Sequence, residues 1–394
     1  MACVLRRQSS DDGTVDSYTG YIDVGARHLF FYFFESRSDP AKDDVILWTN
    51  GGPGASSSIG LFMEQGPCRV VDANTTKFHP ESWNSRANMF FIDQPVGVGW
   101  SYAEFGEHVG TTEDAAHDIA AFIAVFFEHF NKFKGRAFHM AGESYGRRYI
   151  PVYAAAVYDQ NKELVKKGLT PINLNSIMIG NGWTDFYTLI LSYYYMACTP
   201  ATIPPVLDIK TCIRMKQMTL RCEETLKESS IDTFDHFSCG AATSFCRSTS
   251  TSLAPIHENS SVLNHGMQSN FSGQSWAVRV DFEANLDAYR QTYHYVSNLL
   301  DRGVRVLVYV GMNDFTCNHV GNEKWTTNLE WSGGDEFRNQ PLKDWYVNGK
   351  TAGRVRSYDG LAFVTLDGAG HLVPYDKPVK SLELVSCWMA GRDI

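Results

Sequence analysis

Positive charge and long apolar runs are both scarce in this sequence. The first shortage argues against certain binding partners, and the second argues against a membrane span. Its 35 Lys and Arg residues face 44 Asp and Glu residues, which gives a formal net charge of -9. Nucleic acids and anionic membrane surfaces bind basic faces, so neither is expected as a partner. The most apolar stretch, 119–130, is interrupted by Glu128 and His129 and falls short of the roughly 18 residues that span a bilayer. We therefore expect no membrane span, while peptides and small molecules stay open as ligands.

Metal-binding and nucleotide-binding motifs are also missing. The sequence contains no H-E-x-x-H, no C-x-x-C and no phosphate-binding glycine loop, so we expect no metal and no cofactor. Five of the nine cysteines fall within residues 198–246. Without metal-ligand spacing, such a cluster favours disulfide bonds.

The cellular compartment has two interpretations. The first residues hold no apolar core of signal-peptide length, which fits either a cytosolic protein or the mature part of a secreted one. The clustered cysteines and three glycosylation sequons, at Asn74, Asn259 and Asn270, favour the second. We expect a glycosylated, disulfide-bonded protein of the secretory pathway that is vacuolar, lysosomal or extracellular.

Strand and helix patterns alternate along most of the 394 residues. A β-type alternation over 18–24 and 28–34 surrounds a turn at Gly25. Short runs that are apolar on both faces predict central parallel strands, and they lie at 45–48, 88–92, 137–141, 176–179, 304–310 and 362–366. Helical patterns cover 112–130, the residues after Ser144, 282–300 and 378–389. The order predicts an α/β fold with a mostly parallel central sheet and helices on both faces.

The alternation fails between about residues 185 and 275, where the clustered cysteines and two of the sequons lie. A segment that departs from the strand–helix rhythm predicts a cap inserted into the sheet domain. The expected organisation is a first core part over 1–184, an inserted cap or lid over 185–275, and a second core part over 276–394.

A candidate nucleophile lies at Gly142-Glu-Ser-Tyr-Gly146, between a predicted strand and a predicted helix. In a G-x-S-x-G turn the small flanking residues let the chain pass sharply from strand to helix and present the serine at the sheet edge. The N-terminus of the following helix favours negative charge that develops on a reacting carbonyl. The alternative is a structural turn, since short motifs of this kind also arise by chance.

An acid and a base follow in the order that this type of site requires. Asp314 comes just after the strand predicted at 304–310, and His371 lies in a glycine-flanked loop after the strand predicted at 362–366. Alone, Asp314 reads as a turn residue and His371 as a loop histidine. Together with Ser144 their order and strand-end positions predict a Ser–His–Asp site.

At this point the chain resembles the serine carboxypeptidase family, and most closely its fungal members. The resemblance covers nearly the whole chain, and its motifs are WTNGGPGASS (48–57), ESWN (81–84), FIDQPVGVGWSY (91–102), GESY (142–145), IGNG (179–182), GMNDFTCN (311–318) and GHLVPY (370–375). It implies an α/β-hydrolase fold and a serine-type carboxypeptidase that acts on the C-termini of peptides or proteins. The three residues that it implies as catalytic are Ser144, Asp314 and His371.

The resemblance also implies two binding sets. The backbone N–H groups of Gly52 and Tyr145 would form the oxyanion hole, whereas Asn50, Gly51, Glu64 and Glu143 would hold the terminal carboxylate of the substrate. Carboxyl groups that face another carboxylate cannot all be ionised, so their pKa values should rise and one can donate a hydrogen bond while protonated. Peptide hydrolysis is then expected to favour acidic pH.

Two residues depart from the family pattern. Ala55 stands where the family has a cysteine in a disulfide, and Gln274 is the expected position of the lost partner. Arg147 stands where the family generally has glycine, and a cation in the first turn of a helix opposes the helix dipole. We expect Arg147 to point into solvent or a pocket, or else to impair catalysis.

The family spacing implies disulfides between Cys198 and Cys212 and between Cys222 and Cys246. Cys239 is left over, with Ser230 where its partner would be expected, and Cys317 resembles a buried free thiol near the active site. The pairing of Cys3, Cys68 and Cys387 stays open, with Cys3 to Cys68 as one option.

Three functions compete on this sequence. A carboxypeptidase is favoured by Asn50, Glu64 and Glu143, because a substrate with a free C-terminus needs them. An acyltransferase or esterase would keep the three catalytic residues for other substrates, and a catalytically impaired homologue would act as a binding protein, which Arg147 and Ala55 favour. The sequence leaves open the side-chain preference and whether the protein is a monomer or a dimer.

Overall fold

The computed structural model describes residues 15–250 and 273–394, without the side chains of 247–250. Its strands are β1 (Ser17–Val24), β2 (Arg27–Phe34), β3 (Val45–Thr49), β4 (Cys68–Val70), β5 (Thr76–Phe78), β6 (Asn88–Ile92), β7 (Tyr102–Ala103), β8 (Phe138–Glu143), β9 (Leu174–Gly180), β10 (Arg305–Gly311), β11 (Lys343–Val347), β12 (Lys350–Tyr358) and β13 (Leu361–Leu366).

The helices of the same residues are α1 (Thr112–His129), α2 (Gly146–Lys166), α3 (Phe186–Cys198), α4 (Ile209–Leu226), α5 (His236–Ser250), α6 (Trp276–Ala284), α7 (Tyr293–Asp301), α8 (His319–Thr327), α9 (Gly334–Asn339), α10 (Val373–Asp376) and α11 (Pro378–Met389). Short 3-10 or π turns occur at Gly60–Glu64, Trp83–Ser85, Asn131–Phe133, Lys227–Asp232 and Asp287–Tyr289.

One mixed sheet organises the fold, with strand order β1-β2-β6-β3-β8-β9-β10-β13-β12-β11 and with β7 paired to β2. The six central strands, in the order β6-β3-β8-β9-β10-β13, are parallel to one another. Strands β1 and β2 form an antiparallel pair at one edge and β12 and β11 at the other. The prediction of an α/β fold with a mostly parallel sheet is confirmed.

Alternate residues of the central strands enter two separate cores, which is why these strands are apolar throughout. On β3, Val45 and Leu47 belong to the core that includes α1 and α2. Ile46 and Trp48 belong to the core on the other face, which includes α11. Helices therefore cover both faces of the sheet, as predicted.

Two features of the fold were not predicted correctly. Strands β11 and β12 were missed because they form an exposed edge whose charged and polar residues hide the β alternation. The single helix predicted over 282–300 is wrong: the chain forms α6, a 3-10 turn and α7 there. Leu286 has a left-handed φ of 51°, which interrupts any helix.

The region predicted as a cap contains α3, α4 and α5, which pack around their own apolar cluster. The disulfides Cys198–Cys212 and Cys222–Cys246 connect these helices, and both pairings are confirmed. The hydroxyl of Ser230 donates to the free thiol of Cys239 at 3.1 Å. The boundaries of the three predicted segments stay a prediction.

The remaining sequence predictions on cysteines and sequons fall partly outside the described residues. Cys68 is disulfide-bonded and Cys387 is free and buried, whereas Cys3 lies outside the described part. Asn74 lies in the described part and is exposed. The sequons at Asn259 and Asn270 lie outside the described part, as Cys3 does.

Among the described residues, no helix combines the length and the apolar character needed to cross a bilayer.

Candidate active site

The predicted site residues follow the carboxyl ends of neighbouring parallel strands. Asn50 follows β3, Ser144 follows β8, Asp314 comes three residues after β10, and His371 lies in the loop after β13. Because parallel strands end at the same edge of a sheet, this topology brings the four residues together. Ligands bind at that edge in open α/β sheets.

The turn at Ser144 has the tight geometry that its glycines predict. Ser144 has a φ of 60°, a conformation that is rare for a residue with a side chain and that is a recurrent feature of functional sites. A Cβ at Gly142 would lie 2.7 Å from a side-chain carbon of Ile150, and one at Gly146 would lie 2.9 Å from the carbonyl oxygen of Thr49. Both glycines are therefore required where the strand turns into α2.

His371 and Asp314 are in direct contact. His371 Nδ1 lies 2.7 Å from Asp314 Oδ2. Burial favours the neutral form of Asp314, but the imidazolium of His371 and the hydrogen bonds to the carboxylate outweigh burial and lower the pKa of Asp314. Burial likewise opposes the charge on His371, and the carboxylate of Asp314 holds the pKa of His371 well above 6.5.

Ser144 makes no hydrogen bond to His371 or to another described residue through its hydroxyl, although its backbone N–H donates to the carbonyl of Gly180 at 3.1 Å. Catalytic hydrogen bonds are often long before the substrate is bound. The structure thus brings His371 and Asp314 into contact and places Ser144 at the same sheet edge without that bond.

The loop after β3 packs directly on the Ser144 turn. A Cβ on Gly51 would lie 2.2 Å from the backbone nitrogen of Tyr145, so only glycine fits there. Neither Gly52 nor Tyr145 donates its backbone N–H to another described residue. These are the two donors predicted for the oxyanion hole, and neither has an acceptor among the described residues.

Three of the predicted carboxylate-binding residues form a buried group. Asn50 donates from Nδ2 to Glu64 Oε1 at 3.2 Å, and its own Oδ1 accepts from Trp48 and from the N–H of Gly60. Glu64 is 0% and Glu143 is 2% exposed. One oxygen of each carboxyl has no partner among the described residues, so the pair can accommodate a proton and a ligand.

The pKa values of both glutamates are shifted in the direction predicted from the sequence. Burial raises the pKa of Glu64 above 4.5, partly offset by hydrogen bonds from Glu143 and Asn50. Burial and the neighbouring charge of Glu64 raise the pKa of Glu143 well above 4.5. At least one of the two carboxyls therefore carries a proton over a wider pH range than an exposed glutamate does.

Asn181 supports the aspartate, a role that the sequence analysis did not identify. Its Nδ2 donates to Asp314 Oδ2 at 2.7 Å and to the carbonyl of Gly370 at 3.2 Å. The backbone N–H of Cys317 donates to the other oxygen of Asp314 at 3.0 Å. The I-G-N-G motif at the end of β9 was the available signal for this residue.

A buried ion pair lies behind the nucleophile turn and was also missed. Arg148 Nε donates to Asp287 Oδ2 at 2.8 Å, and the hydroxyl of Tyr145 donates to the same oxygen at 2.6 Å. Thr112, at the start of α1, donates its N–H and its hydroxyl to this carboxylate. Asp287 therefore fixes both the side chain of Tyr145 and the first turn of α2.

Arg147 is buried, with 1% of its surface exposed. The expectation that it points into solvent is wrong, and the alternatives of a pocket and of impaired catalysis remain. The two acceptor oxygens of Asp314 are bonded to His371, Asn181 and Cys317, so the guanidinium does not displace His371 from its carboxylate.

Ala55 and Gln274 lie opposite each other in an isolated antiparallel bridge. Backbone hydrogen bonds flank the bridge, from Ser56 to Gly273 at 2.9 Å and from Ser275 to Gly54 at 2.8 Å. The expectation that these two positions face each other is confirmed. Backbone pairing holds the loop here, where the family resemblance implied a disulfide.

One group of potential metal ligands occurs among the described residues, formed by Asp314, Cys317 and His371, whose donor atoms lie within 4.8 Å of one another. The thiol of Cys317 is free and buried, and burial and the charge of Asp314 raise its pKa. His371 Nδ1 and both oxygens of Asp314 already have hydrogen-bond partners. These donor atoms are therefore already engaged in hydrogen bonds within the site.

Comparison with known proteins agrees with this geometry. The model of the serine carboxypeptidase family matches residues 9–260 and 206–391. Carboxypeptidase Y of Komagataella phaffii is 36% identical over 406 residues, which cover 95% of this chain and 76% of the relative. Carboxypeptidase Y homolog A of Aspergillus fumigatus is 37% identical over 97% of this chain and 75% of its own length.

A solved structure shows the same fold. KEX1(DELTA)P, a prohormone-processing carboxypeptidase from Saccharomyces cerevisiae, superposes with a TM-score of 0.81 at 23% identity, over 96% of this chain and 92% of the yeast one. The family model and the fungal relatives cover nearly the whole chain, which also contains the Ser144 turn and the His371–Asp314 contact. The chain belongs to the serine carboxypeptidase family of α/β-hydrolases.

Proposed function

We propose that the protein releases C-terminal amino acids from peptides and proteins through an acyl-enzyme intermediate. The observation that carries this mechanism is the contact of His371 with buried Asp314 at the sheet edge where Ser144 lies in its left-handed turn. Family membership supports the carboxypeptidase activity itself.

In the proposed first step the hydroxyl oxygen of Ser144 attacks the carbonyl carbon of the last peptide bond. His371 Nε2 accepts the hydroxyl proton, while Nδ1 donates to Asp314, which fixes the tautomer and stabilises the imidazolium. The N–H groups of Gly52 and Tyr145 stabilise the oxyanion. His371 returns the proton to the leaving amino acid, and water then hydrolyses the acyl-enzyme by the same steps in reverse.

Selection of a free C-terminus is proposed to depend on the buried Asn50, Glu64 and Glu143 group, with the N–H of Gly51 completing it. A carboxylate that approaches two carboxyl groups binds only if a proton is present to form a hydrogen bond. As pH rises through the raised pKa values of Glu64 and Glu143, the pair ionises and repels the substrate. Peptide hydrolysis therefore favours acidic pH more than hydrolysis of a substrate whose C-terminus is blocked.

His371 imposes the opposite limit. It acts as a base only when neutral, so hydrolysis falls on the acid side as His371 gains its proton, and its raised pKa moves that limb upward. The two effects together predict a bell-shaped profile. The alkaline limb should be specific for substrates with a free C-terminal carboxylate.

The compartment is part of the proposal as well. The disulfides of α3, α4 and α5 and the exposed sequon asparagine Asn74 support a glycoprotein of the secretory pathway, either vacuolar or extracellular.

The test is release of the C-terminal amino acid from an N-blocked dipeptide between about pH 4 and pH 8, for the protein and for Ser144→Ala. We expect bell-shaped release that is lost in the variant. An ester with a blocked C-terminus should keep its rate on the alkaline side. Identical profiles for the two substrates would refute the role of the glutamates, and absence of hydrolysis by the folded protein would favour the binding-protein alternative.

A further inference from the structure

Arg147 occupies a confined position beside the nucleophile. It lies in the first turn of α2, and its backbone N–H faces the carbonyl of Ser144 at 3.4 Å. A Cβ on Gly182 would come within 2.9 Å of the Cβ of Arg147. The glycine after Asn181 therefore makes the space that this arginine needs.

The guanidinium is buried but has no hydrogen-bond partner. Nε and Nη2 of Arg147 are inaccessible and unpaired among the described residues, and Cζ lies 5.6 Å from the ring centre of Trp183. The indole N–H of Trp183 and the hydroxyl of Thr184 are also buried and have no partner there. Unsatisfied buried donors are rare and costly in native proteins, and here they cluster on three neighbouring residues.

The acid whose charge acts on Arg147 makes its hydrogen bonds elsewhere. Asp185 interacts electrostatically with Arg147, but its two oxygens accept from the N–H groups of Tyr187 and Thr188 as the N-cap of α3. Burial lowers the pKa of Arg147 to about 9, which leaves the side chain charged at neutral and acidic pH. The cluster therefore offers positive charge and several hydrogen-bond donors that have no acceptor among the described residues.

The cluster lies on one side of the reacting centre. The charge of Arg147 interacts with the thiol of Cys317, which in turn contacts His371. The carboxyls of Glu64 and Glu143 interact with each other and with His371. Two sets of polar residues therefore act on His371 separately. Arg147 acts through Cys317, whereas Glu64 and Glu143 interact with His371 directly.

We propose that Arg147, with Trp183 and Thr184, is a specificity site for an acidic side chain on the penultimate residue of the substrate. The inference rests on the proposed function: if the terminal carboxylate lies at Asn50, Glu64 and Glu143, the penultimate residue lies across Ser144, on the side of Cys317 and Trp183. A glutamate or aspartate there pairs with the fork of Arg147, which matches the planar carboxylate, once the side chains that enclose Nε and Nη2 move apart. The ring of Trp183 lies over the guanidinium, with Cζ 5.6 Å from the ring centre.

The experiment compares N-blocked dipeptides that share a C-terminal leucine and carry Glu, Gln, Leu or Lys before it. The value kcat/KM is measured at about pH 6, where a glutamate side chain is ionised. A charge-assisted hydrogen bond contributes about 1.5–3 kcal/mol, so the protein should prefer Glu to Gln by roughly ten- to a hundredfold. Lys should be the poorest of the four.

Two variants assign the preference to the side chain. In Arg147→Met the ratio of kcat/KM for the Glu peptide to kcat/KM for the Gln peptide should fall to about one or below, and this ratio rather than the absolute rate is the readout. Arg147→Lys keeps the charge but loses the fork, and should retain only part of the preference. The dissociation constants of the same peptides for Ser144→Ala, measured by calorimetry, should show the same ratio without any chemical step.

The outcomes distinguish the proposed specificity site from the proposed carboxypeptidase function. Hydrolysis of the Gln and Leu peptides without a preference for Glu overturns this inference and leaves the carboxypeptidase mechanism standing. A preference that persists in Arg147→Met, or that follows the C-terminal residue rather than the penultimate one, also overturns it. If the folded protein neither hydrolyses nor binds any of the peptides, both proposals fail.

Discussion

Two consecutive arginines in the first turn of α2 share sequence context and burial but have opposite surroundings. Arg148, with 0% of its surface exposed, contacts Asp287 at 2.8 Å and Glu113 at 2.9 Å. Arg147 is just as buried, yet it has no carboxylate partner among the described residues. Charge interactions with Asp287 and Glu113 outweigh the burial of Arg148 and raise its pKa, whereas burial alone dominates at Arg147 and lowers its pKa.

The comparison distinguishes a charge that stabilises the fold, at Arg148, from a charge that can still pair with a ligand, at Arg147. A buried cation that is fully paired stabilises the arrangement around it, and removal of its partner leaves an uncompensated charge. A buried cation without a partner already bears that cost in the folded protein. Such a cost is tolerated where function uses it, which is why the two arginines should respond to mutation in opposite ways.

The largest effect is expected at Asp287. In Asp287→Asn the guanidinium of Arg148 and the hydroxyl of Tyr145 lose their charged acceptor in a fully buried place. The free energy of unfolding should fall by about 3–5 kcal/mol, measured by urea denaturation at pH 7. A loss below about 1 kcal/mol would show that Arg148 is no better paired than an exposed residue.

Arg147→Met should change stability in the other direction. An apolar side chain of similar length removes an unpaired charge from the interior, so the free energy of unfolding should rise by about 1–4 kcal/mol. Because the pKa of Arg147 falls to about 9 in the folded protein from 12.5, the unfolded chain binds the extra proton between these values. The free energy of unfolding of the unsubstituted protein therefore rises above about pH 9. The difference in stability between Arg147→Met and the parent should shrink there.

Denaturation of both proteins at pH 7 and above pH 9 tests whether the stability advantage of Arg147→Met shrinks as pH rises. A variant that is less stable than the parent at pH 7 would contradict the absence of compensation at Arg147.

The buried acids extend the comparison to negative charge. Glu143→Gln keeps one hydrogen-bond donor at every pH, so the alkaline fall in peptide hydrolysis should become shallower. The change should be about tenfold in kcat/KM at the alkaline end, and esters with a blocked C-terminus should be unaffected. An unchanged peptide profile would exclude Glu143 as the titrating group.

The smallest effect is expected at an exposed ion pair that serves as the matched control for Asp287. Asp159 and Arg302 are 3.0 Å apart, and their side chains are 59% and 38% exposed. Asp159→Asn should cost less than about 1 kcal/mol in the same urea experiment. If Asp159→Asn lowered the free energy of unfolding as much as Asp287→Asn, burial would not determine how much these ion pairs contribute to stability.

The sequence was most informative where local chemistry restricts the residues. The Ser144 turn excludes side chains at Gly142 and Gly146, and the central strands are apolar on both faces, so both left clear patterns. The roles of Ser144, Asp314 and His371 stay predictions, but their placement at strand ends followed from alternation alone. The disulfides of α3, α4 and α5 could be paired only through the family resemblance.

Other features depend on contacts between distant parts of the chain. Asp287 lies 139 residues after Arg148, and nothing near either residue signals the pair. The edge strands β11 and β12 carry exposed charges that mask their alternation, and the left-handed Leu286 divides an otherwise helical pattern. The burial of Arg147 could not be predicted either, because it depends on the space above Gly182.

The bridge between Ala55 and Gln274 has a consequence for handling the protein. The loop that contains Gly52, one of the two candidate oxyanion donors, is fastened by backbone pairing to residues 273–275, and thiol reagents have no bond to cleave at that point. Helices α3, α4 and α5, in contrast, are connected by two reducible cross-links. Dithiothreitol should therefore loosen α3, α4 and α5 before it affects the loop that contains Gly52.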